Sequence, residues 1–270
     1  MSAPILAIDL DGTLLAGSEI PESNAGALRE AVSRGYIVVI ATARWHQMAA
    51  SLLEQMGIEG YVIACNGAHI YQPSHQLDLL DLRIDIELAN AVMDRARTFG
   101  GLMTATLEHQ VVVYSDTEET RTLPDYIQAV QGFPAFHGVG PRMMSYQGGD
   151  AFDRSTGDSS SGLSSIASLR AALTIDDSIG PSGQPVTIIS AREATKGRAL
   201  TVLCEHLGRS VEDVIAFGDS EGDLDLFAVA GTSVAMGQAP QRVRDAADFV
   251  TLSNVNAGVG AFIRKQWAGQ

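Results

Sequence analysis

Three short, almost wholly apolar stretches, each closed by a polar turn, set the main limit on how this 270-residue chain can fold. ILAIDL (5–10), YIVVIA (36–41) and YVIAC (61–65) have the length and side-chain content of strands covered on both faces, a burial characteristic of parallel sheets. Between them apolar residues return at helical spacing. Ala25, Leu28, Ala31 and Val32 mark a helix over 22–34 that stops at Gly35, and Met48, Leu52, Leu53 and Met56 mark another that stops at Gly57. The order is βαβαβ. A helix over about 197–207, a strand at 214–217 and weaker strands at 233–236 and 249–251 repeat the rhythm towards the C-terminus. This alternation predicts an α/β fold with a doubly wound, Rossmann-like parallel sheet, in which ligands bind beyond the carboxyl ends of the strands.

Over 82–185 the rhythm changes. One helix (87–99) and two strands (102–107 and 111–114) are legible, and the remainder reads as irregular. The expected organisation is a core built from 1–81 and 186–270 with an inserted α/β domain between. The stretch 147–165 is rich in Gly and Ser, which suggests a mobile loop. No internal repeat and no heptad pattern appears, so the oligomeric state is not legible.

Charge restricts the partners. Eighteen Lys and Arg against 32 Asp and Glu give a formal net charge of −14. Such a surface repels nucleic acid and anionic membranes, so neither is expected as a partner. An anionic small molecule needs a local cation, from a metal or a placed lysine. Cys65 and Cys204 match no zinc or CxxC spacing and read as buried free thiols. With no signal-like segment and no run of about 18 apolar residues, the expected location is the cytoplasm.

Acidic residues gather where the strands end. Asp9-Leu10-Asp11-Gly12-Thr13 leaves the first strand and enters a glycine turn, and Asp219 and Asp223 in GDSEGD (218–223) follow the strand VIAF. Both pairs fall on the same sheet edge. Either alone is also what strand closure or helix capping would produce. Together they form a set of hard oxygen ligands without His or Cys, which suits Mg²⁺ and not zinc. Thr42 ends the second strand on that edge, where its hydroxyl could donate to a phosphate oxygen. Lys196 stands at the start of a helix, poorly placed against the dipole, which hints at an anion nearby. Arg44 and Asn66 lie just beyond strand ends and are candidate substrate contacts. His46, His69 and His75 flank the region and read as structural or solvated.

These residues resemble a known family. DLDGTLL (9–15), ATAR (41–44), TKG (195–197) and GDSEGD (218–223) are similar, in order and spacing, to the four motifs of the haloacid dehalogenase superfamily. The insertion between the second and third motifs resembles the large α/β cap of its Cof-type sugar-phosphatase branch, and CNGAHI (65–70), SVAMGQA (233–239) and AADFVT (246–251) add to the likeness. The resemblance covers about 160 core residues, and it reaches the inserted domain only in position and size. It implies a phosphoric monoester hydrolase with Asp9 as nucleophile, Asp11 as general acid/base, Thr42 and Lys196 as phosphate binders, and Mg²⁺ held by Asp9, the Asp11 carbonyl, Asp219 and Asp223. Three positions depart from the pattern: Ala43 for Gly, Gly222 for Asn and Gln238 for Asn. None removes a charged group.

On this reading Asp9 attacks phosphorus while Asp11 protonates the departing alcohol and later takes a proton from water. Asp11 is then expected to be held protonated by its carboxylate neighbours and by exclusion of water. Sugar phosphates are the substrates the resemblance suggests, with pyridoxal phosphate or flavin mononucleotide as alternatives. A phosphomutase would use the same intermediate, and a noncatalytic phosphate-binding protein would keep the fold. A receiver-type signalling domain is disfavoured by length and by the position of its acceptor, and a nicotinamide dehydrogenase by the lack of GxGxxG after the first strand.

Overall fold

The computed structural model describes residues 4–116, 123–148, 166–179 and 184–268. They form two compact units, Met1–Leu80 with Thr195–Gln270, and Asp81–Ala194. The first unit opens with β1 (Ile5–Ile8), α1 (Glu22–Ser33), β2 (Ile37–Ala41), α2 (His46–Met56), β3 (Gly60–Ala64), β4 (His69–Gln72) and β5 (Leu77–Asp81). The second contains α3 (Ile86–Phe99), β6 (Leu102–Thr106), β7 (Val111–Ser115), β8 (Ile127–Gln131), β9 (Met143–Gln147), α4 (Ile166–Ala172), β10 (Leu173–Ile179) and β11 (Pro185–Ala191). The chain then returns to the first unit with α5 (Lys196–Leu207), β12 (Val214–Gly218), α6 (Leu224–Val229), β13 (Thr232–Ala235), α7 (Gln241–Asp245), β14 (Phe249–Val250) and α8 (Gly258–Ala268).

The first unit is an α/β fold around an eight-stranded sheet ordered β14-β13-β12-β1-β2-β3-β4-β5. From β14 to β3 every pairing is parallel, with β1 central: Ile8 pairs with Phe217 on one side and Ile40 on the other. All four residues of β1 are fully buried, as a strand covered on both faces requires. The register brings the carboxyl ends of β12, β1 and β2 side by side. Beyond β3 the sheet turns antiparallel, Ile63 pairing with Ile70. The hairpin of β4 and β5 escapes a sequence reading because HIYQ is short and runs directly into Pro73, while LDLLD is largely exposed.

The second unit is more regular than its sequence suggests. Its six-stranded sheet runs β10-β11-β9-β6-β7-β8, antiparallel except for β7 against β8. One face carries Met103, Ala105, Val112, Tyr114, Met144, Tyr146 and Ile189 against Ala89, Val92, Met93 and Ala96 of α3. The Asp85 side chain caps α3 by accepting from the Glu87 and Leu88 amides. Three strands correct the expectation of irregular sequence. β8 (IQAVQ) is mostly solvent-facing, β9 (MMSYQ) has no β-branched residue and pairs with β6 and β11, both distant in sequence, and β10 (LTIDDSI) carries two adjacent aspartates. β11 also hydrogen-bonds into this sheet, so 186–191 leave the core segment to which the sequence reading assigned them. The Gly/Ser-rich stretch at 147–165 lies, from 149 onward, outside the described residues. Among the described residues no helix is long and apolar enough to cross a membrane.

Arg142, 1% exposed, is held by a bidentate pair with Asp81, Nε to Oδ1 at 2.7 Å and Nη2 to Oδ2 at 3.0 Å, and donates to the Glu108 carbonyl. Partial burial pushes the Asp81 carboxyl up, but hydrogen bonds and charge from Arg142 and Arg83 outweigh it and hold the group below the usual carboxylate range. A carboxyl lowered on folding stabilises the native state above about pH 4 and loses that contribution as pH falls through its folded value. Asp81→Asn should therefore cost about 3 kcal/mol at pH 7, the scale for leaving a buried charge unpaired. Urea unfolding should show this gap closing below roughly pH 4; a gap independent of pH would contradict the assignment.

Candidate active site

Asp9 is the first residue past β1. Its amide still donates to Phe217 O at 3.1 Å, one bond beyond the strand, and then the chain folds back as Thr13 and Leu15 donate to Leu10 O and Leu14 donates to Asp9 O. The reversal passes through Gly12 at φ +85°, a conformation open to glycine. Glycine is needed twice over, because a Cβ there would sit 2.2 Å from Asp219 Oδ2. The turn and the loop after β12 are thus in contact, and Thr13 Oγ1 donates to Asp219 Oδ1 at 3.0 Å.

Lys196 begins α5, behind Thr195, whose side chain caps the helix through the Arg198 amide. A cation at a helix start opposes the dipole. Two carboxylates compensate: Nζ lies 2.7 Å from Asp9 Oδ1 and 2.7 Å from Asp223 Oδ1, with the three side chains 5%, 8% and 0% exposed. Burial pulls the Lys196 ammonium down, but the charges of Asp223 and Asp9 outweigh it and hold it above its ordinary value. Asp223 is anchored from its other oxygen, Oδ2, which accepts from the Asp219 and Ser220 amides and the Ser220 hydroxyl at 3.0–3.1 Å.

One ammonium therefore faces three carboxylates. Oxygens of Asp9, Asp219 and Asp223 lie within 4.8 Å of one another. Burial raises the Asp9 carboxyl well above the usual range, Lys196 opposes this, and Asp223 and Asp219 add to it. Burial and then Asp223 push Asp219 up to about 6, against the Thr13 hydrogen bond and Lys196. The cluster is short of positive charge. Its donors are hard carboxylate oxygens, with Asp9 Oδ2 and Asp219 Oδ2 the least committed among the described residues, which fits a hard divalent cation. Asp223 serves first as the anchor of Lys196 and of the 219–220 turn.

The remaining candidates occupy the same edge. Thr42, 1% exposed, follows β2 and accepts from the Arg44 amide at 3.1 Å, which leaves its hydroxyl hydrogen as a donor. Asp11 is 55% exposed, and Arg44 grips it with both Nε, at 2.8 Å, and Nη2. Arg44 is thus bound to a carboxylate of the site, a pairing the sequence did not disclose. Asn66 follows Cys65 in a turn where both are left-handed, φ 56° and 51°, and Asn66 N donates to Thr42 O. Gly67 lets this turn lie against the start of α5, since a Cβ would meet Thr195 O at 2.1 Å. His46 and His69 are buried, their rings edge-on to each other and tilted against Tyr71, and His69 Nε2 pairs with Asp78 at 2.6 Å, as packing groups of the fold do. Cys65 and Cys204 are buried and form no disulfide. Thr13 and Ser220 also hold carboxylates of the cluster: their positions in DGT and GDS are visible in the sequence, but not which carboxylate each holds.

The model of the haloacid dehalogenase-like hydrolase family matches residues 6–263, nearly the whole chain. The protein belongs to this family. A 5-amino-6-(5-phospho-D-ribitylamino)uracil phosphatase of Bacillus subtilis is 30% identical to this haloacid dehalogenase-like hydrolase over 294 aligned residues, covering 98% of each chain. A pyridoxal phosphate phosphatase of Escherichia coli is 26% identical, covering 97% of this chain and 98% of its own. Among solved structures, a haloacid dehalogenase-like hydrolase from B. subtilis superposes with a TM-score of 0.77 at 24% identity, over 97% of this chain and 99% of the other. At the level these relatives share, this member of the family is a phosphatase, a phosphoric monoester hydrolase.

The contact between Gly12 and Asp219 makes a direct prediction. Gly12→Ala must move either the turn or Asp219, and a misplacement of about 1 Å should lower turnover by roughly 10²-fold. Steady-state hydrolysis of p-nitrophenyl phosphate reads this; wild-type rates would mean that the packing does not set the site.

Proposed function

We propose that the protein is a Mg²⁺-dependent phosphatase that hydrolyses small phosphate monoesters through an aspartyl phosphate on Asp9, with Asp11 as general acid and then base. The observation that carries this reading is the buried Asp9 at the sheet edge, paired with Lys196 beside Asp219 and Asp223. Asp9, the Asp11 carbonyl, Asp219 and Asp223 would hold the Mg²⁺, which when bound supplies the positive charge that lets a carboxylate and a phosphate dianion approach each other.

The chain's own groups then divide the work. Lys196 and the Thr42 hydroxyl orient the phosphoryl oxygens. A carboxylate oxygen of Asp9 forms the new bond to phosphorus as the bond to the alcohol oxygen breaks, and Asp11 delivers its proton to that oxygen. Asp11 next takes a proton from water, whose oxygen attacks the phosphorus of the acyl phosphate. The phosphorus bond to Asp9 breaks, the carboxylate is restored and inorganic phosphate leaves. Arg44 has two roles in sequence. Without substrate it pairs with Asp11, and an arriving phosphate dianion competes for the same guanidinium, which frees Asp11 to take up from solvent the proton it then delivers. Asn66 contacts the substrate from the adjoining turn.

The substrate class proposed is a primary phosphate ester on a polar ring compound, the chemistry common to the two curated relatives named above; sugar phosphates share the primary ester. The net charge of −14 argues against nucleic acid. Free buried thiols fit a reducing compartment, the cytoplasm. The segment 82–185 and its neighbouring strand residues would act as the specificity domain.

A panel of pyridoxal phosphate, flavin mononucleotide, hexose phosphates and p-nitrophenyl phosphate, assayed with Mg²⁺ or EDTA, tests the reading. Mg²⁺-dependent phosphate release, abolished in Asp9→Asn, is expected. Asp11→Asn should lose about 10²-fold or more with alkyl esters, and less with p-nitrophenyl phosphate, whose leaving group needs no proton. Equal losses on both would remove the acid role from Asp11. Phosphoryl transfer between positions of a hexose phosphate without release would indicate a mutase.

A further inference from the structure

The turn that follows Asp9 is tied down by three side-chain amides, none of which belongs to a catalytic motif. Gln238, in the loop after β13, donates through Nε2 to Gly12 O at 2.6 Å. Asn24, fully buried in α1, donates to Leu14 O at 3.3 Å, and Asn254, ahead of α8, donates to Leu15 O at 2.8 Å. The amide oxygens are used as well. Gln238 Oε1 accepts from the Asn254 backbone N–H at 3.1 Å, and Asn24 Oδ1 accepts from the Gly260 backbone N–H at 2.9 Å. Three carbonyls of 12–15 are thus fixed to the segment 254–260.

This strap reaches the carboxylate cluster by a short route. Gln238 holds the Gly12 carbonyl and so the Gly12–Thr13 peptide plane. Thr13 Oγ1 donates to Asp219 Oδ1 at 3.0 Å, and Gly12 packs against Asp219 Oδ2. The orientation of Asp219 therefore depends on a peptide held at its N–H by Leu10 O and at its carbonyl by a side-chain amide on another loop. Groups that orient a metal ligand from outside typically alter metal affinity by about 10–100-fold when removed.

We infer that Gln238 and Asn254 are positioning residues for the divalent cation, acting on Asp219 through the 12–15 turn, which Gln238 holds at Gly12 O and Asn254 at Leu15 O. Neither touches substrate or the reacting atoms. The inference rests on the proposed cation site. Gln238 joins the two loops through its one carboxamide, with Nε2 on Gly12 O and Oε1 on the Asn254 backbone N–H.

The probe is Mn²⁺, counted by the electron paramagnetic resonance signal of the free ion and displaced with Mg²⁺, on the full chain carrying Gln238→Met, Asn254→Ala or, as a control, Asp219→Asn. Both strap variants should bind Mn²⁺ more weakly, by about tenfold at the low end of the range for such outer residues, with the melting temperature of the metal-free protein shifted by only a few degrees. Asp219→Asn should lose nearly all binding. Wild-type affinity in both strap variants, with binding lost in Asp219→Asn, would overturn the strap and leave the cation site standing. Undiminished binding in Asp219→Asn would overturn both. Melting temperatures that collapse in both strap variants would also overturn it, because the amides would then hold the fold and not the ligand.

Discussion

The site depends on one buried ammonium. Lys196 lies between Asp9 and Asp223 in a place from which water is nearly excluded, and a lone charge there would cost several kcal/mol in lost hydration. Each partner is held in turn. Asp223 is fixed by the backbone of the 219–220 turn, and Asp9 by the last bond of the β1–β12 ladder. The lysine thereby joins the first strand, the loop after β12 and the start of α5, three segments far apart in sequence. It stands at a helix N-terminus against the dipole, so the position is stable only with its carboxylates present.

The same arrangement leaves excess negative charge, and the function proposed above follows from that excess. Three carboxylates crowd one cation, so Asp9 and Asp219 are both pushed towards protonation in the metal-free protein. A nucleophilic carboxylate needs the opposite. A divalent cation on the uncommitted oxygens of Asp9 and Asp219 would restore the charge balance and keep Asp9 ionised beside an anionic substrate. Asp11 stands apart from this group, exposed and gripped by Arg44, as suits a residue that has to change partners during a reaction.

Much of this was legible in the chain itself. The three apolar strands and their glycine-stopped helices follow from local periodicity, and the acidic residues at the strand ends follow from the topology of a parallel sheet. What was not legible lacked a local signature or depended on partners distant in sequence. The strand Met143–Gln147 has no local signature, and β4 and β5 run through a proline and exposed acidic residues. Within the site, the sequence offers Arg44 as a substrate contact but does not show that its guanidinium pairs with Asp11. Gln238 reads as a departure from a family pattern until its amide is seen bridging Gly12 and Asn254. Residue types at strand ends can be read from sequence, whereas their hydrogen-bond partners are set by tertiary packing.

That Asp9 carries the phosphoryl group is the proposal on which the mechanism stands. Its most direct test is to quench a reaction with radiolabelled pyridoxal phosphate or p-nitrophenyl phosphate in acid within milliseconds, reduce the protein with borohydride and locate the modified residue by mass spectrometry. Acid-stable label on the wild-type protein and conversion of Asp9 to homoserine are expected, at a level that rises when Asp11→Asn slows hydrolysis of the intermediate. Phosphate release with no label on the protein, or label on a residue other than Asp9, would contradict it.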